Sequence, residues 1–353
     1  MGALLREANT RDVWLFVTPG AIRALWPRLV RYLGRTREQW AWLLGLPTPA
    51  WPPPEASMEI LRTPDERFER LPGWPYCPRY VEVDGIRIHY VDEGPRGAPV
   101  VLLLHGEPSW GYLYRKMIGP LVAAGLRAVV PDLVGFGRSD KPARREDYTY
   151  ARHVAWIGGL VEALDLEHAT LFGQDWGGLI GLRLVAAEPR RWDRVVAANT
   201  FLPTGDQPLG KAFEKWRAFS QQVPVFEVGP LIARGCARPV TPEVVAAYDA
   251  PFPDERFKEG ARQFPMLVPA SPEDPEAGPN RAAVEVLSRF DKPFLTLFGD
   301  SDTITRGADQ VLQALVPGAK GQRHAVLEKA GHYLQEDVGE ALAGRVIDFI
   351  EGR

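Results

Sequence analysis

Apolar residues recur along the chain in two distinct periods from residue 79 onwards. Short apolar or alternating runs predict β-strands, and longer stretches with helical spacing predict helices between them. The predicted strands are 79–84, 86–92, 99–104, 127–131, 168–173, 193–198, 293–299 and 323–329. The predicted helices are 111–123, 150–165, 177–188, 307–315 and 338–351. This alternation predicts an α/β fold, in which helices cover both faces of a mostly parallel sheet.

Residues 202–290 interrupt the alternation. They contain many proline and aromatic residues and no strong strand signal, and they are too long for a connecting loop. We therefore expect a helical cap, inserted after the sixth strand, over the carboxyl edge of the sheet. The predicted core then consists of residues 58–201 and 291–353.

Residues 1–57 differ in composition from the rest of the chain. They hold five of the eleven tryptophans and include a proline-rich stretch, 47–54, typical of a linker. Segment 21–33 has apolar residues at helical spacing, although Pro27 interrupts it, and such a helix can dock on a protein or on a membrane surface. We favour an extension outside the catalytic fold, of the kind that translation from an early start codon would add, because Met58 begins a segment that leads directly into the domain.

Composition and charge exclude several classes of function. An apolar content of 45% and a charged content of 25% are ordinary for a globular protein. The net charge of −3 gives no basic surface for nucleic acid. The chain contains no run of 18 apolar residues, the length that a membrane span would need. Charged residues near the N-terminus interrupt any clean secretory signal. Cys77 and Cys236 are expected to be free thiols in a cytoplasmic protein, although a disulfide is compatible with the sequence.

Residues 171–178, LFGQDWGG, are the most informative stretch. Predicted strand 168–173 runs through a Gly-x-Asp-x-Gly turn into a predicted helix, which is the context of a nucleophile elbow with Asp175 in place of serine. A carboxylate can displace a leaving group from saturated carbon and form an ester that water then cleaves. Trp176 adds an indole N–H, which is a donor only. Aspartate is also common in ordinary glycine turns, so the partners of Asp175 decide between the two interpretations.

A carboxylate nucleophile needs a base for the second half-reaction and an acid that orients the base. In this architecture the order along the chain is nucleophile, acid, histidine. Of the six histidines, His332 lies in a loop just past the carboxyl end of a late predicted strand. Asp302, in LFGDSD after predicted strand 293–299, is the matching acid, and Asp300 is interpreted as a turn former.

The sequence HGEPSW at 105–110 follows the predicted strand that supplies half of an oxyanion hole in this architecture. We predict that the backbone N–H groups of Glu107 and Trp176 form the donor pair that stabilises the oxyanion when water attacks the Asp175 ester. Pro108 restricts the backbone at this point. The side chain of Glu107 can equally be a solvated carboxylate without a role.

These motifs, with DLVGFGRSDKP at 132–142, GDSD at 299–302 and AGHYLQE at 330–336, resemble the haloalkane dehalogenases over residues 58–353. The resemblance implies an α/β-hydrolase fold, an aspartate nucleophile, and a small halogenated alkane and a halide ion as ligands. It matches the subgroup whose acid follows the strand preceding the last helix pair. In that subgroup two tryptophans bind the leaving halide, and Trp176 and Trp216 stand in the matching contexts. The segments resembling the family's apolar pocket wall contain Phe213, Phe264, Pro265 and Val268.

The predicted reaction is hydrolysis of a haloalkane to an alcohol, a halide and a proton, through an ester on Asp175 that water activated by His332 and Asp302 hydrolyses. No metal-ligand spacing occurs in the sequence, and we expect a cytoplasmic monomer without a cofactor or a nucleic-acid partner.

Four rival functions share parts of this pattern. An epoxide hydrolase has the same fold and aspartate elbow, but it typically needs two cap tyrosines, and residues 202–290 contain only Tyr248. A fluoroacetate dehalogenase is expected to carry cationic residues beside the nucleophile, where Trp176 stands. An esterase would need the missing serine. A non-catalytic binding protein of this fold often lacks one member of the catalytic triad, whereas all three are present here.

Overall fold

The computed structural model describes residues 18–29, 37–46 and 58–353. The chain divides into two compact units, Met1–Met58 and Glu59–Arg353. In the first unit the described residues form helices α1 (Pro19–Leu29) and α2 (Arg37–Leu44). Helix α1 continues through Pro27, and the proline-rich stretch 47–54 lies outside the described residues.

Two tryptophans of the first unit are buried. Trp26, in α1, and Trp40, in α2, are 6% and 4% exposed. The guanidinium group of Arg23 donates two hydrogen bonds to the carbonyl of Leu44, so that α1 is joined to the end of α2. The apolar spacing found in segment 21–33 therefore corresponds to a helix with a buried side, as far as the described residues extend.

Ten strands occur in the part of the second unit that the structure describes. They are β1 (Ile60–Leu61), β2 (Arg79–Val83), β3 (Ile86–Glu93), β4 (Val100–Leu104), β5 (Arg127–Pro131), β6 (Lys141–Pro142), β7 (Ala169–Gln174), β8 (Trp192–Ala198), β9 (Phe294–Gly299) and β10 (Ala325–Leu327). Eight form one sheet in the order β10-β9-β8-β7-β4-β5-β3-β2, and β1 pairs with β6. Strands β2 and β3 are antiparallel to their neighbours and the other six run parallel, so the prediction of a mostly parallel sheet is confirmed.

The helices of the α/β core follow the predicted alternation. They are α3 (Arg115–Ala123), α4 (Tyr150–Ala163), α5 (Trp176–Ala187), α11 (Ala308–Leu315) and α12 (Leu334–Glu351). Predicted helix 111–123 is split, because a 3₁₀ turn over Gly111–Tyr114 precedes α3. Helix α12 begins at Leu334, before the predicted start at residue 338. Non-helical torsion angles at Val338 mark a kink, and the apolar periodicity of the sequence predicted only the part of the helix beyond this kink.

The insertion between β8 and β9 is helical where it is regular, as the sequence predicted. Its α-helices are α6 (Lys211–Gln222), α7 (Val228–Gly235), α8 (Pro242–Asp249), α9 (Glu259–Leu267) and α10 (Ala277–Leu287). We refer to residues 202–290 as the cap.

The central strands bring the motif-bearing loops together at one edge of the sheet. Every residue of β4 and of β7 is buried, which explains their continuous apolar runs, since helices cover both faces of the sheet. In the register, Leu104 pairs with Gly173, and Ala198 pairs with Gln174 and with Leu297. These strands therefore end at nearly the same level, where loops of a parallel sheet form a site.

Both cysteines, Cys77 and Cys236, are free, as predicted. None of the helices in the described ranges has the length and apolar character that a membrane crossing needs.

We predict that a chain starting at Met58 folds without the residues before it. Contacts of the second unit begin at once, because Ile60 pairs with Pro142 and the hydroxyl of Thr63 donates to the carbonyl of Pro251. Thermal melting and size-exclusion chromatography of the short and full-length chains measure the effect. A short chain that aggregates or melts far below the full-length protein would place residues 1–57 inside the fold.

Candidate active site

Asp175 occupies a strained turn between β7 and α5. Its torsion angles, φ 51° and ψ −124°, lie in a region that non-glycine residues rarely adopt. The turn is held by its surroundings, since the N–H of Asp175 donates to the carbonyl of Asn199 (3.1 Å) and its carbonyl accepts from the hydroxyl of Thr200 (2.7 Å). A Cβ at Gly177 would collide with the carbonyl of Leu104, so the helix can approach β4 only with glycine there. The strand–turn–helix motif thus presents the Asp175 carboxylate beyond the sheet edge.

His332 lies between two carboxylates. Its Nε2 is 3.4 Å from Oδ2 of Asp175, and its Nδ1 is 3.2 Å from Oδ1 of Asp302. Asp302 is fixed in turn by the backbone N–H of Ile304 (2.9 Å) and by the hydroxyl of Thr305. The structure therefore brings together the three residues that the sequence proposed as nucleophile, base and acid.

The charges of this triad shift the pKa values of both buried partners. Burial by itself lowers the pKa of His332, but the charge of Asp302 and the hydrogen bonds that the imidazole donates to Asp175 and Asp302 raise it to about 10. Burial opposes ionisation of Asp302, but the charge and hydrogen bond of His332, with the hydroxyl of Thr305, lower its pKa to about 2. At neutral pH the site therefore holds an imidazolium between carboxylates.

The backbone N–H of Glu107, predicted as an oxyanion donor, contacts the carboxylate of Asp175. This N–H donates to Oδ1 of Asp175 at 2.9 Å, and the peptide bond between Glu107 and Pro108 is cis. Among the hydrogen bonds of residues 58–353, none joins the backbone N–H of Trp176 to that carboxylate, so its role remains a prediction. The structure thus distinguishes the two oxygens of Asp175: Oδ1 meets the N–H of Glu107 and Oδ2 meets His332.

The side chain of Glu107 is buried beside the nucleophile. It is 4% exposed, and its Oε1 has no hydrogen-bond partner, so interpreting it as a solvated carboxylate is wrong. Burial and the charge of Asp175 raise its pKa well above the usual value, against the smaller effects of His332 and Trp216. The carboxyl group therefore keeps its proton at pH values where an exposed glutamate is ionised.

A cavity of about 400 Å³ opens on these groups. Its wall includes both predicted halide-binding tryptophans, Trp176 and Trp216, together with Phe213 and Pro265 of the predicted apolar wall. It also contains residues that sequence reasoning did not select, among them Leu231, Arg234, Cys236, Ile304 and Tyr333. These residues lie in stretches whose sequence is typical of ordinary helices and loops, so the sequence alone does not identify them as residues of the cavity wall.

Phe264 and Val268, the other two residues predicted for the pocket wall, are absent from the lining of this cavity. Phe264 is fully buried and packs against Trp176 with 4.7 Å between the ring centroids. Val268 is 2% exposed and belongs to the hydrophobic core. Phe264 therefore packs behind Trp176 instead of lining the cavity. The prediction was wrong for Phe264 and Val268 because apolar spacing alone does not distinguish a residue of the cavity wall from one in the layer beneath it.

Two amide side chains support the site and were not selected as site residues from the sequence. Gln174, immediately before the nucleophile, donates to the carbonyl of His332 at 3.2 Å. Asn199, the first residue after β8, donates to the same carbonyl at 3.0 Å and accepts from the N–H of Gly299 at 2.8 Å. Their positions at strand ends next to the nucleophile and the acid are the signals that could have identified them.

The cap tyrosine does not face the nucleophile. The hydroxyl of Tyr248 is buried and donates to Glu336 at 2.7 Å, outside the cavity lining. Two cap tyrosines at Asp175, as an epoxide hydrolase would need, do not occur within residues 202–290. Among the described residues, no group of three His, Cys, Asp or Glu side chains has an arrangement that could hold a metal ion.

The sequence matches characterised families over most of its length. Residues 99–337 match the family described as the alpha/beta hydrolase fold. The haloalkane dehalogenase of Psychrobacter cryohalolentis is 57% identical over 298 residues, which cover 83% of this chain and 98% of that protein. The haloalkane dehalogenase of Mycobacterium marinum is 52% identical over 297 residues, covering 83% of this chain and 100% of that protein.

Solved structures show the same likeness. The haloalkane dehalogenase DpaA from Paraglaciecola agarilytica, described as tetrameric, has a TM-score of 0.77 and 36% identity, covering 81% of this chain and 97% of that chain. An ancestral haloalkane dehalogenase has a TM-score of 0.68 and 27% identity, covering 78% of this chain and 100% of that chain. The resemblance to the haloalkane dehalogenases is thereby confirmed at the level of the family.

We predict that replacing Glu107 by glutamine makes stability less dependent on pH. Above about pH 4.5 the unfolded chain has lost this proton while the folded chain keeps it, so the wild-type free energy of unfolding falls as pH rises, by at most about 1.4 kcal/mol per pH unit. The E107Q variant has no such proton. In urea unfolding at about pH 5, 6 and 7, the free energy of unfolding of E107Q minus that of wild type should therefore increase with pH.

The exposed residue Glu69 provides the control for this measurement. Its glutamine variant should follow the wild-type pH dependence. A constant difference between E107Q and wild type over the same range would show that Glu107 is ionised in the folded protein.

Proposed function

The chain belongs to the haloalkane dehalogenases, and from that premise we propose that it hydrolyses haloalkanes through a covalent ester on Asp175. The products are an alcohol, a halide ion and a proton. The observation that supports this mechanism is a single cavity whose wall carries the carboxylate of Asp175, the imidazole of His332, and the indoles of Trp176 and Trp216.

The first step is displacement at the halogen-bearing carbon. We assign the attack to Oδ2 of Asp175, because Oδ1 already accepts from the N–H of Glu107 and is placed to remain the carbonyl oxygen of the ester. The new C–O bond forms as the carbon–halogen bond breaks, and the halide leaves with the bonding electrons. Trp176 and Trp216 can donate their indole N–H groups to the leaving halide inside the protein, where such donors act more strongly than in bulk water.

Formation of the ester changes the protonation of His332. Asp175 loses its negative charge on alkylation, so one of the two carboxylates that raise the pKa of His332 disappears. The pKa then falls, and the imidazole can release its proton and accept one from water. Asp302 remains charged and hydrogen-bonded to Nδ1, which keeps the ring oriented with Nε2 towards the ester.

Water completes the reaction. The water oxygen bonds to Cγ of Asp175 while His332 takes its proton, and the developing oxyanion at Oδ1 is stabilised by the N–H of Glu107, with Trp176 as the predicted second donor. Collapse of this intermediate breaks the bond from Cγ to the alkoxy oxygen, which leaves as the alcohol with the proton of the intermediate's hydroxyl group. Asp175 is ionised again, His332 keeps the proton that it took from water and is a cation as at the start, and the halide leaves the site. The proton that His332 released after alkylation is the single proton among the products.

Oligomeric state and location enter the proposal as predictions. DpaA is described as tetrameric, whereas we propose a cytoplasmic monomer for this chain. Light scattering of the full-length protein measures its mass in solution directly, and a tetramer would overturn the monomer prediction without affecting the mechanism.

Replacing His332 by alanine should trap the ester, because histidine acts only in the second half-reaction. With 1-bromobutane, H332A should release one equivalent of bromide and gain one butyl group on the peptide containing Asp175, as measured by mass spectrometry. D175A should release no bromide. His168, which is exposed and distant from the cavity, supplies the control, and H168A should turn over like wild type. An unmodified H332A protein, with wild type active, contradicts the ester mechanism.

Replacing Trp216 by phenylalanine keeps an aromatic ring and removes one proposed halide donor. Turnover should slow, and bromide, measured by its quenching of tryptophan fluorescence, should bind more weakly. The loss of transition-state or bromide-binding free energy should be roughly 2–4 kcal/mol at most, the range found for removal of one oxyanion-hole donor. W74F removes a tryptophan outside the cavity lining and should leave bromide affinity unchanged. Unchanged bromide affinity in W216F, with activity lost only in proportion to stability, would make Trp216 a packing residue.

A further inference from the structure

The peptide backbone around the catalytic histidine is held at four polar atoms. The N–H of Gly331 donates to Asp337 and the N–H of His332 donates to the carbonyl of Gly235, each at 2.8 Å. The amide of Asn199 donates to the carbonyls of Gly331 and His332, at 2.9 and 3.0 Å. Asn199, a residue of the core, therefore holds the two carbonyls. The N–H of His332 bonds directly to the cap, at Gly235, the last residue of α7.

Asp337 connects this loop to the cap. Its Oδ2 accepts from the N–H of Gly331 and also from that of Ala237, at 2.8 and 2.9 Å, and its Oδ1 accepts from the N–H of Arg238 at 2.8 Å. Ala237 and Arg238 lie just past the end of α7, after Cys236. Asp337 is 6% exposed, so water cannot easily replace it, and a carboxylate is a strong acceptor for backbone N–H groups. A single side chain thus bridges the cap and the residue before His332.

The two segments approach each other too closely for side chains. A Cβ at Gly331 would collide with the carbonyl of Gly235 and with the N–H of Ala237, and a Cβ at Gly235 would collide with the ring of Tyr333. Contacts this tight leave little freedom for the cap to shift while the histidine loop stays in place.

A second contact between cap and core offers a comparison. The hydroxyl of Tyr248, on α8 of the cap, donates to Glu336, which is paired with Arg115 of α3. This hydrogen bond does not involve the backbone of Gly331 or His332. Its loss weakens the attachment of the cap without removing a bond to the histidine loop.

We propose that Asp337 is a positioning residue that sets His332 by holding the residues just past α7 against Gly331, so that hydrolysis of the ester requires this one segment of the cap to be in place. The proposal rests on the two-step mechanism given above. Alkylation uses Asp175 and the halide-binding tryptophans, whereas hydrolysis needs Nε2 of His332 at the correct distance from a water molecule. The hydrogen bonds of Asp337 go to Gly331 and to the residues just past α7, whereas Trp216 lies on α6, so loss of Asp337 slows the second step and leaves the first step nearly unchanged.

The test compares the two half-reactions in full-length D337A, D337N and Y248F. Rapid-quench measurements of bromide release from 1-bromobutane in the first turnover report alkylation, and the steady-state rate reports the whole cycle. Mass spectrometry of enzyme quenched during turnover gives the fraction that carries the butyl ester. Thermal melting of each variant measures the separate effect on stability.

In D337A, first-turnover bromide release should stay within about threefold of wild type. Steady-state turnover should fall by about 10- to 100-fold, the range expected for misplacement of a catalytic group by about 1 Å, and the butyl ester should accumulate. D337N keeps one acceptor oxygen and should fall between D337A and wild type. Y248F should melt at a lower temperature without accumulating the ester.

Equal slowing of both steps in D337A, or equal accumulation of ester in Y248F, would overturn the proposal. If D337A does not fold, D337N decides by the same criterion, and loss of folding in both variants assigns Asp337 to stability alone. The H332A variant separates this proposal from the mechanism. If H332A forms no ester the mechanism itself fails, whereas an ester in H332A without accumulation in D337A or D337N rejects only the role of Asp337.

Discussion

The backbone conformation of Asp175 is the constraint on which the arrangement of the site depends. Torsion angles of φ 51° and ψ −124° are unfavourable for aspartate, and they persist because β4, the start of α5 and the loop after β8 surround the turn. This conformation directs the carboxylate beyond the sheet edge. There one oxygen accepts from the N–H of Glu107 and the other lies next to His332. A relaxed turn would lose both contacts, and with them the difference between the two oxygens that the proposed chemistry uses.

Two buried carboxyl groups near the imidazole, those of Asp302 and Glu107, take different states because their partners differ. Asp302 is stabilised as an anion by His332, by the hydroxyl of Thr305 and by a backbone N–H, which lower its pKa to about 2. Glu107 has no compensating cation of its own, and its pKa is raised well above the usual value by burial and by Asp175. A protonated Glu107 adds no negative charge to a cavity in which a halide has to form. The same type of side chain therefore serves as a permanent anion or as a neutral group according to its partners.

The sequence predicts the parts of this molecule that depend on local pattern and chain order. Strands such as β4 and β7 were found because both faces are buried, which makes the apolar run continuous. Asp302 and His332, which lie beside each other and near Asp175, were selected because this fold has the order nucleophile, acid, histidine along the chain. The buried state of Glu107 and the position of Phe264 behind Trp176 were not predicted, because they depend on packing between segments far apart in sequence.

The cap contributes to more than the shape of the cavity. In the two-step mechanism proposed here, His332 is a cation before alkylation and a base after it, because alkylation neutralises Asp175. The change is useful only if the imidazole stays in place when its hydrogen bond to Asp175 weakens. Its ring is then held by Asp302, and its backbone by Asn199, Gly235 and the neighbouring Asp337 contact. The loop carries these restraints on its backbone, so loss of a charge at the side chain does not release it.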